Sequence, residues 1–214
     1  MKFEDLTEKE KLFIKNNLKN FKFLSLREQQ GLNIVNKLSN IKNDVHIDPT
    51  LLLNKKDWFK IMDIPKEENF ILVYLIHSDK KIIDYINCLS VQKNLKVYYI
   101  SLESINDNDF INIRITPQKF LGYFLKAKYV VTNSFHGLAF SINFNKQFFV
   151  DLSYKTANTN SRLENLLNLT KLKERLIDNI GTDYDKPINW DSVNKIIEKE
   201  REKSINYLKK IIND

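Results

Sequence analysis

The 214-residue chain is poor in the residues that staple, bend or break a fold, with one cysteine, four glycines and four prolines. A lone cysteine excludes an internal disulfide and a cysteine-ligated metal cluster. Cys88 lies in Tyr85-Ile86-Asn87-Cys88-Leu89, an apolar stretch that points to a buried structural thiol. No apolar run reaches the roughly 18–20 residues of a bilayer-spanning helix. The opening Met1-Lys2-Phe3-Glu4-Asp5 lacks the basic-then-apolar order of a signal peptide, so the expected location is the cytoplasm. Of three histidines, His46 and His77 stand without a second ligand type at metal-binding spacing; both read as structural or exposed, and no metal site is expected.

Arginine is scarce too: Arg27, Arg114, Arg162, Arg175 and Arg201 are the whole set. The net charge of +7 is therefore mostly lysine, scattered among Glu, Asp and Asn. Such a surplus reads as solvated surface, with weak attraction to the anionic inner face of a membrane, rather than as a nucleic-acid interface. The scarcity gives weight to arginines near a motif, because a guanidinium pairs bidentately with carboxylate or phosphate. Arg175 reads as a surface helix residue.

What the chain does contain is an ordinary globular composition, 43% hydrophobic and 29% charged. Phe3–Asn20 reads as a helix and Phe21–Leu24 as a short strand. Ser25 and Glu28, three apart, suggest a capping box opening a helix that runs to about Leu38. Val45-His46-Ile47 reads as a short strand, ended by the turn signal Asp48-Pro49-Thr50. From Phe70 onward the pattern alternates: strand 70–75, helix 79–92, strand 96–100, helix from Pro117 to about Ala127, strand 128–132, helix 135–145 and strand 147–151. That alternation predicts an α/β fold with a parallel sheet. A helix around Arg162–Leu169 comes next. A final helix, about Asn189–Ile212, carries an apolar stripe of Trp190, Val193, Ile196, Ile197, Ile205, Leu208 and Ile211.

The chemistry concentrates at Thr132-Asn133-Ser134-Phe135-His136-Gly137. In an open α/β sheet ligands bind at the carboxyl ends of strands, and this bend is such an end, opening a helix. A helix start presents unpaired N–H groups and partial positive charge, suited to phosphate or carboxylate. Asn133 or Ser134 can cap the helix, and Gly137 leaves room for a ligand beside the backbone. His136, in the first turn, is placed to exchange a proton as an anion arrives, as a general acid must; a hydrogen bond within its own loop is the competing reading. Arg27 and Arg162 each fall near a helix start, where a cation opposes the helix dipole. Each reads either as an anion-binding residue or as a surface arginine.

Ala127 to Ile142, with Phe120-Leu121-Gly122 before it and Lys146-Gln147-Phe148-Phe149-Val150 after it, resembles the carboxy-terminal hallmark of the polysaccharide pyruvyl transferases. Ser25-Leu26-Arg27-Glu28, Asp48-Pro49-Thr50 and Asn160-Ser161-Arg162-Leu163 resemble three further family segments, in the family's order. The resemblance implies Rossmann-like parallel sheets with flanking helices: the carboxy-terminal half of a glycosyltransferase-B-like fold plus a remnant of the first half. Residues 1–65 would be that remnant, 66–186 the carboxy-terminal Rossmann-like domain with the donor site, and 187–214 a helix packing back toward the first segment.

The resemblance also implies transfer of pyruvyl from phosphoenolpyruvate, a donor substrate rather than a cofactor, to a glycan or lipid-linked saccharide as a cyclic ketal. His136 would be catalytic, with Arg27, Asn133, Ser134, Phe135, Gly137 and Arg162 binding substrate. Family members are longer, so an absent amino-terminal half implies exposed apolar surface and a homodimer or a complementing amino-terminal chain. A remnant that binds donor without turnover, or a different glycosyltransferase-B-like transferase, are the alternatives.

Overall fold

A computed structural model describes residues 3–100, 110–152 and 160–213. Among the described residues seven strands form two parallel sheets. The larger holds β3 (Ile71–Tyr74), β4 (Val97–Ile100), β5 (Phe110–Asn112), β6 (Tyr129–Thr132) and β7 (Gln147–Val150), in the order β5-β4-β3-β6-β7. The smaller pairs β1 (Leu24–Leu26) with β2 (Asn43–Val45). The fold is thus α/β and Rossmann-like.

The central strands are apolar throughout because both faces of the sheet are covered. Alternate residues feed two cores. Leu72, Val130, Phe148 and Val150 point to one face, covered by α5 (Pro117–Lys126), α6 (Phe135–Asn143), α7 (Asn160–Thr170) and the first half of α9 (Trp190–Asn213). Ile71, Val73, Val131 and Phe149 point to the other, covered by α4 (Lys80–Lys93) and the short α8 (Ile177–Ile180). The helix starts carry the expected caps: Asp79 accepts from Ile82 N–H, and Thr116 accepts from Lys119 N–H ahead of Pro117.

The chain leaves β3 toward β4 and β5, then crosses back under α5 to β6 on β3's other side. The strand order therefore reverses between β3 and β6, and the carboxyl ends of those two strands flank the position where such sheets open a crevice.

The first segment differs from expectation in register. Residues 3–20 divide into a turn of 3-10 helix and α1 (Glu8–Leu18), which is opened by a Thr7–Glu10 capping box. The strand falls at Leu24–Leu26, not 21–24. Ser25 lies within it and does not cap α2 (Gln29–Leu38); its hydroxyl shares a 2.9 Å hydrogen bond with His46 Nδ1. The α2 start is Glu28, without a side-chain cap. Pro49–Leu51 forms a turn of 3-10 helix capped by Asp48, and α3 (Lys55–Phe59) comes after it.

Helix α9 returns to this segment. Arg201 Nε donates to Leu51 O at 2.9 Å, Ser204 Oγ accepts from Ile47 N–H at 3.2 Å, and Tyr207 stacks on His46 with ring centroids 4.2 Å apart. The buried face of α9 is accordingly mixed: Val193 and Ile197, then Arg201 and Ser204, while Leu208 and Ile212 lie exposed. A polar middle is required because α9 there meets irregular backbone, whose N–H and C=O groups need partners.

Two further expectations are corrected. Cys88 is exposed: on α4 the sheet-facing residues are Ile82, Ile86 and Leu89, and two residues past Ile86 is some 200° around the helix. Arg175 is fully buried, not a surface residue.

Candidate active site

Thr132 ends β6 and organises the turn into α6. Its hydroxyl donates to Tyr74 O of β3 at 2.6 Å and accepts from Ser134 N–H at 3.0 Å. Gly137 packs directly over that hydroxyl: a Cβ there would stand 2.1 Å from Thr132 Oγ1. Gly137 therefore makes room for a neighbouring side chain of the fold, where the sequence had suggested room for a ligand.

Asn133 laces the reversal point shut. Its Oδ1 accepts from Ile76 N–H at 2.8 Å and its Nδ2 donates to His77 O at 2.6 Å, so both ends of the carboxamide hold the loop after β3. Ser134 is the N-cap residue of α6, is buried, and makes no side-chain capping bond. The first helical bond is Leu138 N–H to Ser134 O at 3.0 Å, so the amides of Phe135, His136 and Gly137 are those a helix start leaves without an intrahelical acceptor.

With the reversal point laced, open space lies to either side of Phe135 and His136. Consecutive residues on a helix point about 100° apart, and these two face different cavities. A cavity of about 790 Å³ has His136 in its wall, with Tyr74, Phe120 and Phe140 among its other lining residues. A smaller one, about 220 Å³, is lined by Phe135, Arg27, Arg162, His46, Asp48 and Lys203 among others. The rings of Phe135 and His136 stand edge to face, centroids 5.5 Å apart, between the two.

The smaller cavity gathers residues from distant parts of the chain. Arg27, at the carboxyl end of β1, pairs with Asp48 at 2.6 Å. Arg27 precedes α2 and does not lie in its first turn, so the helix-dipole argument does not apply to it, and its anionic partner in the fold is Asp48. Burial alone would raise the Asp48 carboxyl. The Thr50 amide and hydroxyl and the Arg27 guanidinium outweigh burial and hold it below the ordinary range. Arg162, in the first turn of α7, places its guanidinium 5.7 Å from the Phe135 ring centroid. Next to it, Ser161 Oγ donates to Glu28 at 2.8 Å, tying α7 to the start of α2.

Arg27, Phe135 and Arg162 thus meet around one cavity, and His136, the next residue on α6, lines the other. Asn133, Ser134 and Gly137 shape the turn that carries Phe135 and His136. Sequence reading assigned no role to Arg114 or Trp58, which line the larger cavity, or to Lys203, which lines the smaller. The rarity of arginine was the one available signal, and it applied only to Arg114. Among the described residues no group of three or more His, Cys, Asp and Glu side chains could hold a metal ion, and no helix is long and apolar enough to cross a membrane.

The Rossmann-like sheet thus carries a histidine on a helix start, next to a cavity that both arginines share with Glu28, Asp48 and Glu200. Residues 2–150 match the model of the polysaccharide pyruvyl transferase family, and the chain belongs to that family. The matched stretch includes Arg27, Asp48 and the whole His136 loop, and ends before Arg162. No curated protein and no solved structure matches the chain.

Proposed function

We propose that this protein transfers a pyruvyl group from phosphoenolpyruvate to a sugar of a surface or capsular polysaccharide, as a ketal. The observation that carries the reading is the position of His136: it lies in the family-matched stretch, on a helix start, in the wall of the larger cavity and next along α6 to Phe135, which lines the cavity of Arg27 and Arg162.

In this reading the donor's carboxylate and phosphate lie toward Arg27 and Arg162, with the amides of the α6 first turn adding N–H donors. His136 delivers a proton to the donor's methylene carbon, which becomes the methyl group, and the adjoining carbon takes on cationic character. One sugar hydroxyl adds there and its proton restores His136. The C–O bond to phosphate breaks, a second hydroxyl closes the ketal, and its proton leaves with the phosphate. The arginines neutralise charge as it moves to the leaving group, which is the largest service a preorganised site provides. Asn133, Ser134 and Gly137 act at one remove, by holding the loop.

Calorimetry with phosphoenolpyruvate, followed by phosphate release with a panel of saccharide acceptors, tests this. Binding that weakens on replacing Arg27 or Arg162 by Gln, with acceptor-dependent release that His136→Ala abolishes, is the expected result. Binding without release from any acceptor would instead mark a donor-binding protein without turnover. A nucleotide that displaces phosphoenolpyruvate would move the protein to a nucleotide-sugar transferase.

A further inference from the structure

A third cavity lies at the far end of α6 and shares no lining residue with either cavity at its start. Asn143, the last residue of α6, lines it, seven residues and about 10 Å along the helix from His136. Lys55 and Lys56 of α3 and Asn194, Glu198 and Arg201 of α9 also line it. At about 360 Å³ it is within the range, about 300–1,000 Å³, of cavities that enclose a small molecule. Among the described residues only Ile142 and Ile197 of its wall are apolar, and no aromatic ring lines it.

Its polar groups are fixed by the fold yet keep bonding capacity to spare. Arg201 is 7% exposed. Its Nε donates to Leu51 O and its Nη1 to Glu198, while Nη2 has no partner among the described residues. Unlike Nε and Nη1 of Arg175, which are sealed from solvent, that Nη2 stays reachable. Asn143 is held in a complementary way. Its Nδ2 donates to Leu53 O at 2.8 Å and Thr50 O at 3.3 Å, which leaves Oδ1 as an acceptor. Lys55, Lys56 and Asn194 make no side-chain bond among the described residues.

The charge is one-sided. Glu198, the one carboxylate among the described residues of the wall, is paired with Arg201, and Asp57 next to Lys56 is paired with Lys60. Lys55 and Lys56 are thus left without a counter-charge. Burial, and then Lys55, pulls the ammonium of nearby Lys146 down as well.

We infer that this cavity binds a small phosphorylated sugar, its phosphate against Lys55 and Lys56 and its hydroxyls against Arg201 Nη2, Asn143 Oδ1 and Asn194. The lysines supply charge-assisted hydrogen bonds to phosphate oxygens. A carboxamide, donor at one end and acceptor at the other, matches a hydroxyl, which is both. A nucleotide is a poor fit, because its base would find no ring to stack on.

Calorimetry on the full chain at constant ionic strength, with glucose 6-phosphate, glucose and inorganic phosphate, tests this. Lys55, Lys56 and Asn194 are exposed, so Lys55→Gln combined with Lys56→Gln, and separately Asn194→Ala, leave the core intact. Arg201 is kept, because it also holds Leu51 O. Glucose 6-phosphate is expected to bind about tenfold or more tightly than glucose or inorganic phosphate, the scale of one hydrogen bond to a charged group. The double lysine variant should lower its affinity about tenfold, and Asn194→Ala should lower it too. Arg27→Gln, in the smaller cavity, should leave it unchanged, and phosphoenolpyruvate should not displace it.

An absence of binding, inorganic phosphate held as tightly as the sugar phosphate, displacement by phosphoenolpyruvate, or affinity unchanged in either variant would each overturn the inference. Such a failure leaves pyruvyl transfer standing, because that reading is tested at Arg27, Arg162 and His136, none of which lines this cavity.

Discussion

Gly137 lies so close over Thr132 that a methyl group in place of its hydrogen would meet the threonine hydroxyl at 2.1 Å. The hydroxyl cannot easily yield, since it bridges Tyr74 O and Ser134 N–H. Gly137→Ala should therefore cost about 1–3 kcal/mol, the usual range for overpacking a tight site, read from urea unfolding. Thr132→Ala removes the obstructing oxygen, so the double variant should be more stable than the two single losses predict. Additive losses would show that the contact does not constrain the loop.

Asn133 makes a second, separable prediction. Its Oδ1 accepts from Ile76 N–H, and its Nδ2 donates to His77 O. Hydrogen exchange at the Ile76 amide should accelerate in Asn133→Ala. It should stay slow in Asn133→Asp, which keeps an acceptor oxygen there. Equal protection in all three proteins would mean that the reversal point is held by something else.

Asp48 sets a pH dependence. Its folded-state pKa is lowered, against the effect of burial, by Thr50 and Arg27. Ionised Asp48 then contributes stability above the ordinary carboxylate pKa of about 3.9, and the contribution is lost as pH falls through the lower folded value. Compared with Asp48→Asn, the wild-type protein should be more stable at neutral pH, with the gap closing as the solution is acidified through the carboxylate range. Thermal unfolding of both proteins across that range checks it.

Lys146 sets a second pH dependence, at the alkaline end. Burial, with Lys55 and Lys126 nearby, pulls its ammonium down to about 8, while Nζ donates to Ala127 O at 3.0 Å. Between about 8 and the ordinary lysine value of about 10.4 the unfolded chain holds the extra proton, so this group makes stability rise with pH in that window. The wild type should gain on Lys146→Met as pH rises from about 8 toward 10. Parallel stability curves would place the lysine in water.

Much of the larger sheet was legible because each signal was local. The apolar runs at Phe70–Leu75 and Tyr129–Thr132, the Asp79 cap and the Thr116-Pro117 start all gave elements within a residue or two of the observed ones. The first segment was less legible, because its decisive contacts are distant in sequence. Ser25 looks like a cap, yet its hydroxyl is bonded to His46, 21 residues on. Strand β5, three residues at the sheet edge, is too short for any periodicity to register.

Arg175 shows a different limit. Nothing in Lys173-Glu174-Arg175 announces burial, but the guanidinium lies inside the protein, bonded to Lys186 O. At the site, sequence marked His136, Arg27 and Arg162, and folding shows that the two arginines line one cavity while His136 lines the other. That partition depends on α6 turning Phe135 and His136 to different sides, which no spacing in the sequence reveals.

The central claim is that His136 protonates the methylene carbon of phosphoenolpyruvate during transfer to a sugar. Running the reaction in deuterated water and tracking the product by proton NMR tests it most directly. The account predicts a ketal whose methyl group carries one deuterium, formed by the wild-type protein and absent with His136→Ala, which remains folded. An unlabelled methyl group, or ketal formation undiminished in His136→Ala, would contradict it.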